Sequence, residues 1–307
     1  MKALVTGGNG FIGSHLVDDL VQRGWEVVVL DLSERRYDPI PSRARFIPGS
    51  LNDTGRVIDA LIGVDVVFHL SWSTIHEISN QDPAADVTTN LVPTIHLLEA
   101  CRHAEVGRVV FTSSGGTVYG PAIEWPITET HPLNPINGYG VTKLAVEKYL
   151  QMFKHLYGLD YVVLRPSVPY GPRQNPLARQ GAVAVFLNRV ARGLPVTIFG
   201  DGSNTRDFFY VSDLVDALIA GAERKLYEHR IFNLGGVEEV SLIQLLKLIE
   251  NVVGKTARVQ YAPARQFDAQ RIVLNTGLAR QELGWHAKVS LADGLAKTWT
   301  WMSTINQ

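Results

Sequence analysis

The sequence predicts an α/β fold: a doubly wound parallel sheet with a smaller C-terminal domain interleaved with it. Three observations carry that expectation. Short β-branched runs alternate with helical patterns through the first half of the chain. A glycine-rich turn follows the first run and opens a helix. After Pro166 the alternation gives way to segments punctuated by Pro169, Gly171, Pro172, Pro176, Gly193, Pro195, Gly200 and Gly202.

Taken in order, Ala3-Leu4-Val5 is the first strand. A helix from Phe11 to Arg23 follows the glycine turn, with Gly24 placed where a left-handed C-cap belongs. The runs Glu26 to Leu30, Arg45 to Ile47, Val64 to Phe68, Arg108 to Phe111 and Tyr161 to Arg165 are apolar without alternation, as buried parallel strands are. Helices are predicted between them over Asp53 to Ile62, Pro83 to His103 and Asn137 to Tyr157. Trp72 to Gln81 and Gln174 to Gly181 read as loops, Trp72 chiefly as a packed loop aromatic and secondarily as a stacking surface for a ligand ring. Residues 1–165 are expected to form the dinucleotide-binding domain and 166–307 mainly the smaller one, with segments near 207–235 returning to the main sheet.

The 307 residues suffice for a large core, and the net charge of −1 calls for neither nucleic acid nor an anionic membrane as partner. No run approaches the ~20 apolar residues of a membrane helix. The lone Cys101 makes no internal disulfide and has no clustered Cys or His partner, so a reducing cytoplasm, no metal site and a buried apolar role are expected.

Gly7-Gly8-Asn9-Gly10-Phe11-Ile12-Gly13 has GxxGxxG spacing between a strand and a helix. Glycines there let backbone approach a pyrophosphate, and the helix N-terminus offers amide donors, which is the Rossmann-type arrangement. Asp31 closes the second strand, where a carboxylate accepts from ribose hydroxyls and repels a 2′-phosphate, favouring NAD over NADP. Arg35 and Arg36 stand close by and keep NADP open as the lesser reading.

Tyr139 and Lys143 are four apart on a predicted helix and therefore share a face. A nearby ammonium favours tyrosinate and lowers a pKa that is ordinarily about 10, giving an acid–base for a sugar hydroxyl. Upstream, Thr112-Ser113-Ser114-Gly115-Gly116-Thr117 leaves a strand at the sheet's carboxyl edge, where hydroxyls can reach a substrate oxygen.

These residues resemble the extended short-chain dehydrogenase/reductases, and within them the nucleotide-sugar epimerase/dehydratase group. The likeness rests on TGGNGFIGSHL (Thr6 to Leu16), the Tyr139–Lys143 pair, Asn90, Arg165-Pro166, Tyr170 to Gln174, and Gly200-Asp201-Gly202 with Thr205 to Phe208. It implies NAD held by Gly7, Gly10, Phe11, Ile12, Gly13, Asp31, Leu70, Asn90, Ser113, Tyr139, Lys143 and Pro166. It implies a nucleotide diphosphate gripped by Arg206 and Arg265, whose forked guanidinium suits phosphate oxygens, with Asp268 on a ribose. It further implies pairing of two copies through the helices around 83–103 and 137–157.

Two departures stand out. Gly115 occupies the position of the family's catalytic hydroxyl, so Ser114 or Thr117 must supply it, with Ser114 preferred, and Val168 replaces a common Asn. Gly116 and Thr117 stand where the dehydratases carry an acidic pair, so elimination of water is not expected. The resemblance then implies inversion at C4 of a UDP-glucose-type hexose, through a transient 4-keto sugar and in polysaccharide synthesis. An epimerase or reductase of a dTDP- or GDP-deoxyhexose is the second expectation, and a non-catalytic NAD-binding regulator the third. Ile272 falls near the position that gates the sugar pocket.

Overall fold

The structure is a computed structural model describing residues 1–74, 76–178, 181–265 and 269–305, without the side chains of His76 and Glu77. In chain order the first half comprises β1 (Lys2–Thr6), α1 (Phe11–Gln22), β2 (Glu26–Asp31), β3 (Ala44–Pro48), α2 (Thr54–Leu61), β4 (Val66–His69), α3 (His76–Gln81), α4 (Pro83–Asp86), a π-turn (Val87–Leu91), α5 (Val92–His103), β5 (Arg108–Thr112) and α6 (Gly138–Tyr157). The second comprises β6 (Asp160–Pro166), β7 (Val168–Tyr170), α7 (Ala182–Ala191), β8 (Pro195–Phe199), β9 (Thr205–Arg206), β10 (Phe208–Tyr210), α8 (Val211–Glu223), β11 (Ile231–Leu234), β12 (Val240–Ser241), α9 (Leu242–Val253), β13 (Arg258–Ala262), β14 (Arg271–Ile272), a π-turn (Ala279–Leu283) and α10 (Leu291–Ile305).

Seven parallel strands form the main sheet in the order β11-β6-β5-β4-β1-β2-β3. Its strands are buried on both faces because helices cover both. Leu16, Val17 and Leu20 of α1 and Leu214 and Leu218 of α8 pack on one side, and Val57, Leu97, Leu98, Cys101 and Val146 on the other. The order turns back between β1 and β4, which opens a crevice at their carboxyl ends. The second lobe is built on the parallel pair β8–β13 and the ladder β12-β9-β14, with α7, α9 and α10 sharing its core.

Two expectations need correction. The segment from Trp72 to Gln81 is not all loop, since α3 occupies its end; Ser79 Oγ and Asn80 Oδ1 accept from the backbone N–H groups of Tyr139 and Gly138 and so help start α6. The helix expected over Pro83 to His103 widens into a π-turn at Val87–Leu91. Pro93 has no N–H and its ring crowds the carbonyl four residues back, and a wider turn relieves that crowding.

The lobes meet along two seams. At one, Arg173 takes up φ +65° and sends its guanidinium to Asp18 of α1 and Asp38 of the loop after β2, each at 2.7 Å. At the other, the Asp207 carboxylate accepts from Leu274 N at 3.0 Å, while Oδ1 is buried without a partner among the described residues. Burial raises the Asp207 pKa to about 7. The same carboxyl ionises at about 3.9 in an unfolded chain, so its protonated form favours folding. That contribution is complete below about pH 4 and is lost as pH rises to 7. Asp207→Asn keeps an acceptor and does not titrate. In urea unfolding at pH 5 and pH 8, the wild type is expected to lose roughly 2–4 kcal/mol relative to this variant between the two pH values.

Candidate active site

The glycine turn lies at the carboxyl end of β1. A Cβ on Gly13 would stand 2.2 Å from the Gly7 carbonyl oxygen, and one on Gly7, at φ +71°, 2.8 Å from the Ser71 backbone nitrogen. Both positions therefore exclude side chains, and the turn abuts the Leu70–Ser71 backbone. Asp53, Asn137 and Ser241 cap α2, α6 and α9 with side-chain oxygens, whereas α1 begins at Gly10 with no side-chain cap. Its first amides are thus left for an anion such as a dinucleotide pyrophosphate. Phe11 and Ile12 lie in that first turn, packed partly against the cores.

Asp31 at the end of β2 accepts from Asn9 N at 3.0 Å and Leu32 N at 2.7 Å, leaving lone pairs on both oxygens. Arg35 lines the space in front of the turn but is already paired: it binds Asp18 at 2.7 Å and the Ser14 carbonyl at 3.0 Å, with a nearly buried side chain. Arg36 lies over the Tyr37 ring at 5.5 Å. A cavity of 180 Å³ opens here, bordered by Asn9, Gly10, Phe11, Arg36, Tyr37 and Arg173.

The reacting end forms where β4, β5 and α6 converge. Asn137 caps α6 through the Gly140 N–H at 2.8 Å and orients Tyr139 and Lys143 toward the sheet edge. Lys143, 4% exposed, donates to the Thr112 carbonyl at 2.8 Å. Its Nζ stands 3.6 Å from the centroid of the Trp72 ring, which meets Tyr139 edge-on at 5.7 Å. Burial drives the Lys143 pKa well down, against the pull of Asp86 and Glu147. Burial and Asp86 together raise that of Tyr139. The expected lowering at Tyr139 is therefore corrected for the protein by itself: burial first, and the Asp86 carboxylate second, both favour the neutral phenol.

Two buried carboxylates organise the surroundings. Asp86 accepts from Thr142 at 2.5 Å, Asn90 at 3.0 Å and Thr74. Asn90 Oδ1 accepts from the Ser73 N–H at 2.9 Å, so its amide holds the loop 71–74 rather than turning toward a ligand. Glu147 is paired with Arg165 through bonds of 3.0 and 2.5 Å, and it accepts from Ser113 Oγ at 2.5 Å. Arg165 also donates to Tyr119, whose hydroxyl donates to Asn233. His69 is neutral: burial, and then Lys143, lowers its pKa to about 3. Thr94 gives its proton to the Asn90 carbonyl and so accepts from Nε2, which leaves Nδ1 to accept from Thr6.

The loop after β5 settles why Gly115 is glycine. A Cβ there would lie 2.4 Å from Leu274 Cδ1 and 2.9 Å from the Arg165 carbonyl oxygen, while the Gly115 N–H bonds to Pro166 O at 2.9 Å. Leu274, reaching in from the second lobe, fills the space of the absent side chain. Ile272 packs beside it, 3.4 Å from where a Gly116 Cβ would be. Ser114 is half-exposed, whereas Thr117, 5% exposed, keeps a buried Oγ1 without a partner among the described residues and lies against Gly140, next to Tyr139.

Arg206 on β9 binds the carbonyls of Thr205 and Ala269, each at 2.7 Å, and Arg265 lies over the Phe199 ring at 4.2 Å. Asp268 lies outside the described residues. Sequence reading passed over Asp86 and Glu147. Glu147 sits four residues after Lys143, a spacing that marks a shared face, whereas nothing in its neighbours singles out Asp86.

A glycine turn built to meet a pyrophosphate and a tyrosine–lysine pair at the edge of a parallel sheet define a dinucleotide-dependent enzyme of the short-chain dehydrogenase/reductase kind. The chain belongs to the NAD dependent epimerase/dehydratase family, whose pattern matches residues 3–235. It is 40% identical to a UDP-glucose 4-epimerase of Mycolicibacterium smegmatis, over 97% of each chain. It superposes on a UDP-glucose 4-epimerase from Thermotoga maritima, solved with UDP-glucose, with a TM-score of 0.95 at 38% identity over the whole of both chains. A Thermus thermophilus UDP-glucose 4-epimerase solved with NAD gives 0.92 at 38% identity over 99% of each.

Gly13→Ala puts a carbon against the Gly7 carbonyl and the Gly8 Cα, within the glycine turn and away from Tyr139 and Lys143. Less than about a tenth of the wild-type dinucleotide is expected to co-purify with it, read by chromatography of the denatured supernatant, with the circular dichroism unchanged.

Proposed function

We propose that this protein is an NAD-dependent epimerase that inverts C4 of a nucleotide-activated hexose of the UDP-glucose type. One observation carries the reading. The site holds a tyrosine and a lysine placed for acid–base work, while the carboxylates beside them are committed, Asp86 to Thr142, Thr74 and Asn90 and Glu147 to Arg165 and Ser113. The loop Ser113 to Thr117 adds hydroxyls and no carboxylate. Loss of water needs a further acid and base, whereas inversion at a carbinol carbon needs one proton shuttle and a reversible hydride acceptor.

NAD, when bound, supplies that acceptor. Gly7, Gly10, Gly13 and the first turn of α1 would hold its pyrophosphate, and Asp31 its ribose. Asp31, with Arg35 already paired to Asp18, supports NAD over NADP. Tyr139 takes the proton of the C4 hydroxyl and later returns one to the 4-keto sugar's oxygen, after the sugar has turned the opposite face of C4 toward the cofactor side of the site. Lys143 supports the tyrosinate, and Thr117, buried with an unshared hydroxyl, is favoured over Ser114 as the group that steadies the C4 oxygen. Arg206 and Arg265 would bracket the diphosphate, which tethers the sugar while its ring turns over.

Product analysis by NMR tests the reading. UDP-glucose, UDP-N-acetylglucosamine, UDP-glucuronate and dTDP-rhamnose are supplied separately, without reductant, and conversion of one to its C4 epimer is expected. Turnover only with an added reduced dinucleotide would move the protein to the ketoreductases. Tyr139→Phe should lower kcat by 10²- to 10⁴-fold, the usual range for a lost acid–base. Thr117→Val should lower it by roughly tenfold or more, and Ser114→Ala by less.

A homodimer is the expected assembly. Val141, Met152, Leu156 and Tyr157 of α6 and Val92 of α5 are exposed apolar side chains on the two helices that would meet their copies. Light scattering at micromolar concentration should give twice 33.9 kDa; a monomer mass sinks the idea. No helix among the described residues is long and apolar enough to cross a membrane. A cytoplasmic setting in polysaccharide synthesis fits an enzyme of soluble nucleotide sugars.

A further inference from the structure

Trp72 has been given no part in the reaction, yet its ring lies against both Lys143 and Tyr139. Its ring centroid is 3.6 Å from Lys143 Nζ, 5.7 Å from the Tyr139 ring and 6.3 Å from the Phe111 ring. Its Nε1–H is buried and has no partner among the described residues, so ring contacts rather than a hydrogen bond hold the indole. The loop beneath it is tied down at two adjacent points, Ser73 to Asn90 and Thr74 to Asp86 and Asn90. A packing aromatic has no need of a cation at van der Waals distance over its face. A buried ammonium that gives one hydrogen bond to protein does need such a face.

We propose that Trp72 is a positioning residue for the reaction inferred above: its π-face keeps the Lys143 ammonium charged and fixed beside Tyr139. The groups around Lys143 leave that part to the indole. Tyr139 and Glu147 lie on its own helix, and Glu147 is bidentate on Arg165. Asp86 faces it from α4 but is held by three donors, and His69 of β4 is neutral. The Thr112 carbonyl of β5 accepts one of three ammonium protons, and Phe111 offers a second, more distant ring at 4.7 Å.

Removing the face favours the neutral amine, so Lys143 titrates lower. A weaker cation supports tyrosinate less, so the acidic limb of the rate profile moves up. Trp72→Phe keeps a π-face and Trp72→Leu keeps only apolar bulk. The Lys143 side-chain signal, assigned with Lys143→Arg, is followed by NMR across pH in uniformly ¹³C-lysine-labelled protein carrying NAD. Trp72→Leu should lower its midpoint by about one pH unit, and Trp72→Phe by less than half of that. In epimerase assays the acidic limb of kcat should rise by a similar amount in the leucine variant. Biosynthetic replacement of tryptophan by mono-, di- and trifluorinated analogues weakens the face at almost constant shape. It should lower the Lys143 midpoint stepwise even if the leucine variant does not fold. An unchanged Lys143 midpoint across the fluorinated series, or equal shifts in the phenylalanine and leucine variants, overturns the proposal. Failure of the functional reading looks different: no nucleotide sugar is turned over by the wild type, while the Lys143 titration still decides the part played by Trp72.

Discussion

The Lys143 ammonium is held almost out of water at the carboxyl end of β5, and much of the surrounding structure answers that one burial. An isolated charge in such a place costs several kcal/mol unless donors and opposing charges are arranged around it. The arrangement is spread across elements far apart in sequence. The Thr112 carbonyl comes from β5, the Trp72 face from the loop after β4, Asp86 from α4 and Glu147 from the next turn of α6. Each carboxylate is in turn neutralised or hydrogen-bonded by others, Glu147 by Arg165, which is 1% exposed, and Asp86 by two hydroxyls and an amide. The site is thus less a pocket with residues added to it than a layered charge arrangement that shapes the sheet edge.

The layering explains what sequence made legible. The fold class was readable because burial on both sheet faces turns β1, β2, β5 and β6 into plain apolar runs, and because Gly7 and Gly13 mark a close backbone approach. The Tyr139–Lys143 pair was readable because helix periodicity converts a spacing of four into a shared face. What escaped depended on partners remote in sequence. Asp86 meets Thr142 across 56 residues and Trp72 meets Lys143 across the lobe's centre, and no local pattern announces either. The π-turn escaped because a widened turn keeps the apolar periodicity of its flanks. The direction of the Tyr139 shift was misjudged for the same reason: a lysine four residues away was visible, whereas the burial of the phenol, and after it a carboxylate 53 residues upstream, come from the packing of distant segments.

The join between the lobes shows a second kind of economy. Arg173 sits in a left-handed conformation that disfavours side chains, and two ion pairs from Asp18 and Asp38 hold it there. Asp18 also binds Arg35, so one carboxylate fixes both the loop that carries the cofactor-facing side of β2 and the entry to the second lobe. Tyr37 of that loop rests edge-on against Trp301 of α10 at 5.0 Å. Cofactor and substrate regions are therefore parts of one braced unit.

Leu274 occupies the volume that any side chain at position 115 would need. That contact constrains the routes by which relatives of this chain can diverge. A serine or threonine arriving at 115 alone meets the leucine and the Arg165 carbonyl, and a smaller residue arriving at 274 alone leaves a void against Val118, Tyr119 and Ile127. Neither single substitution fits the structure as it stands, so a side chain at 115 calls for a matching change at 274. With glycine in the loop and leucine across from it, a hydroxyl for this part of the site has to stand on a neighbouring residue instead.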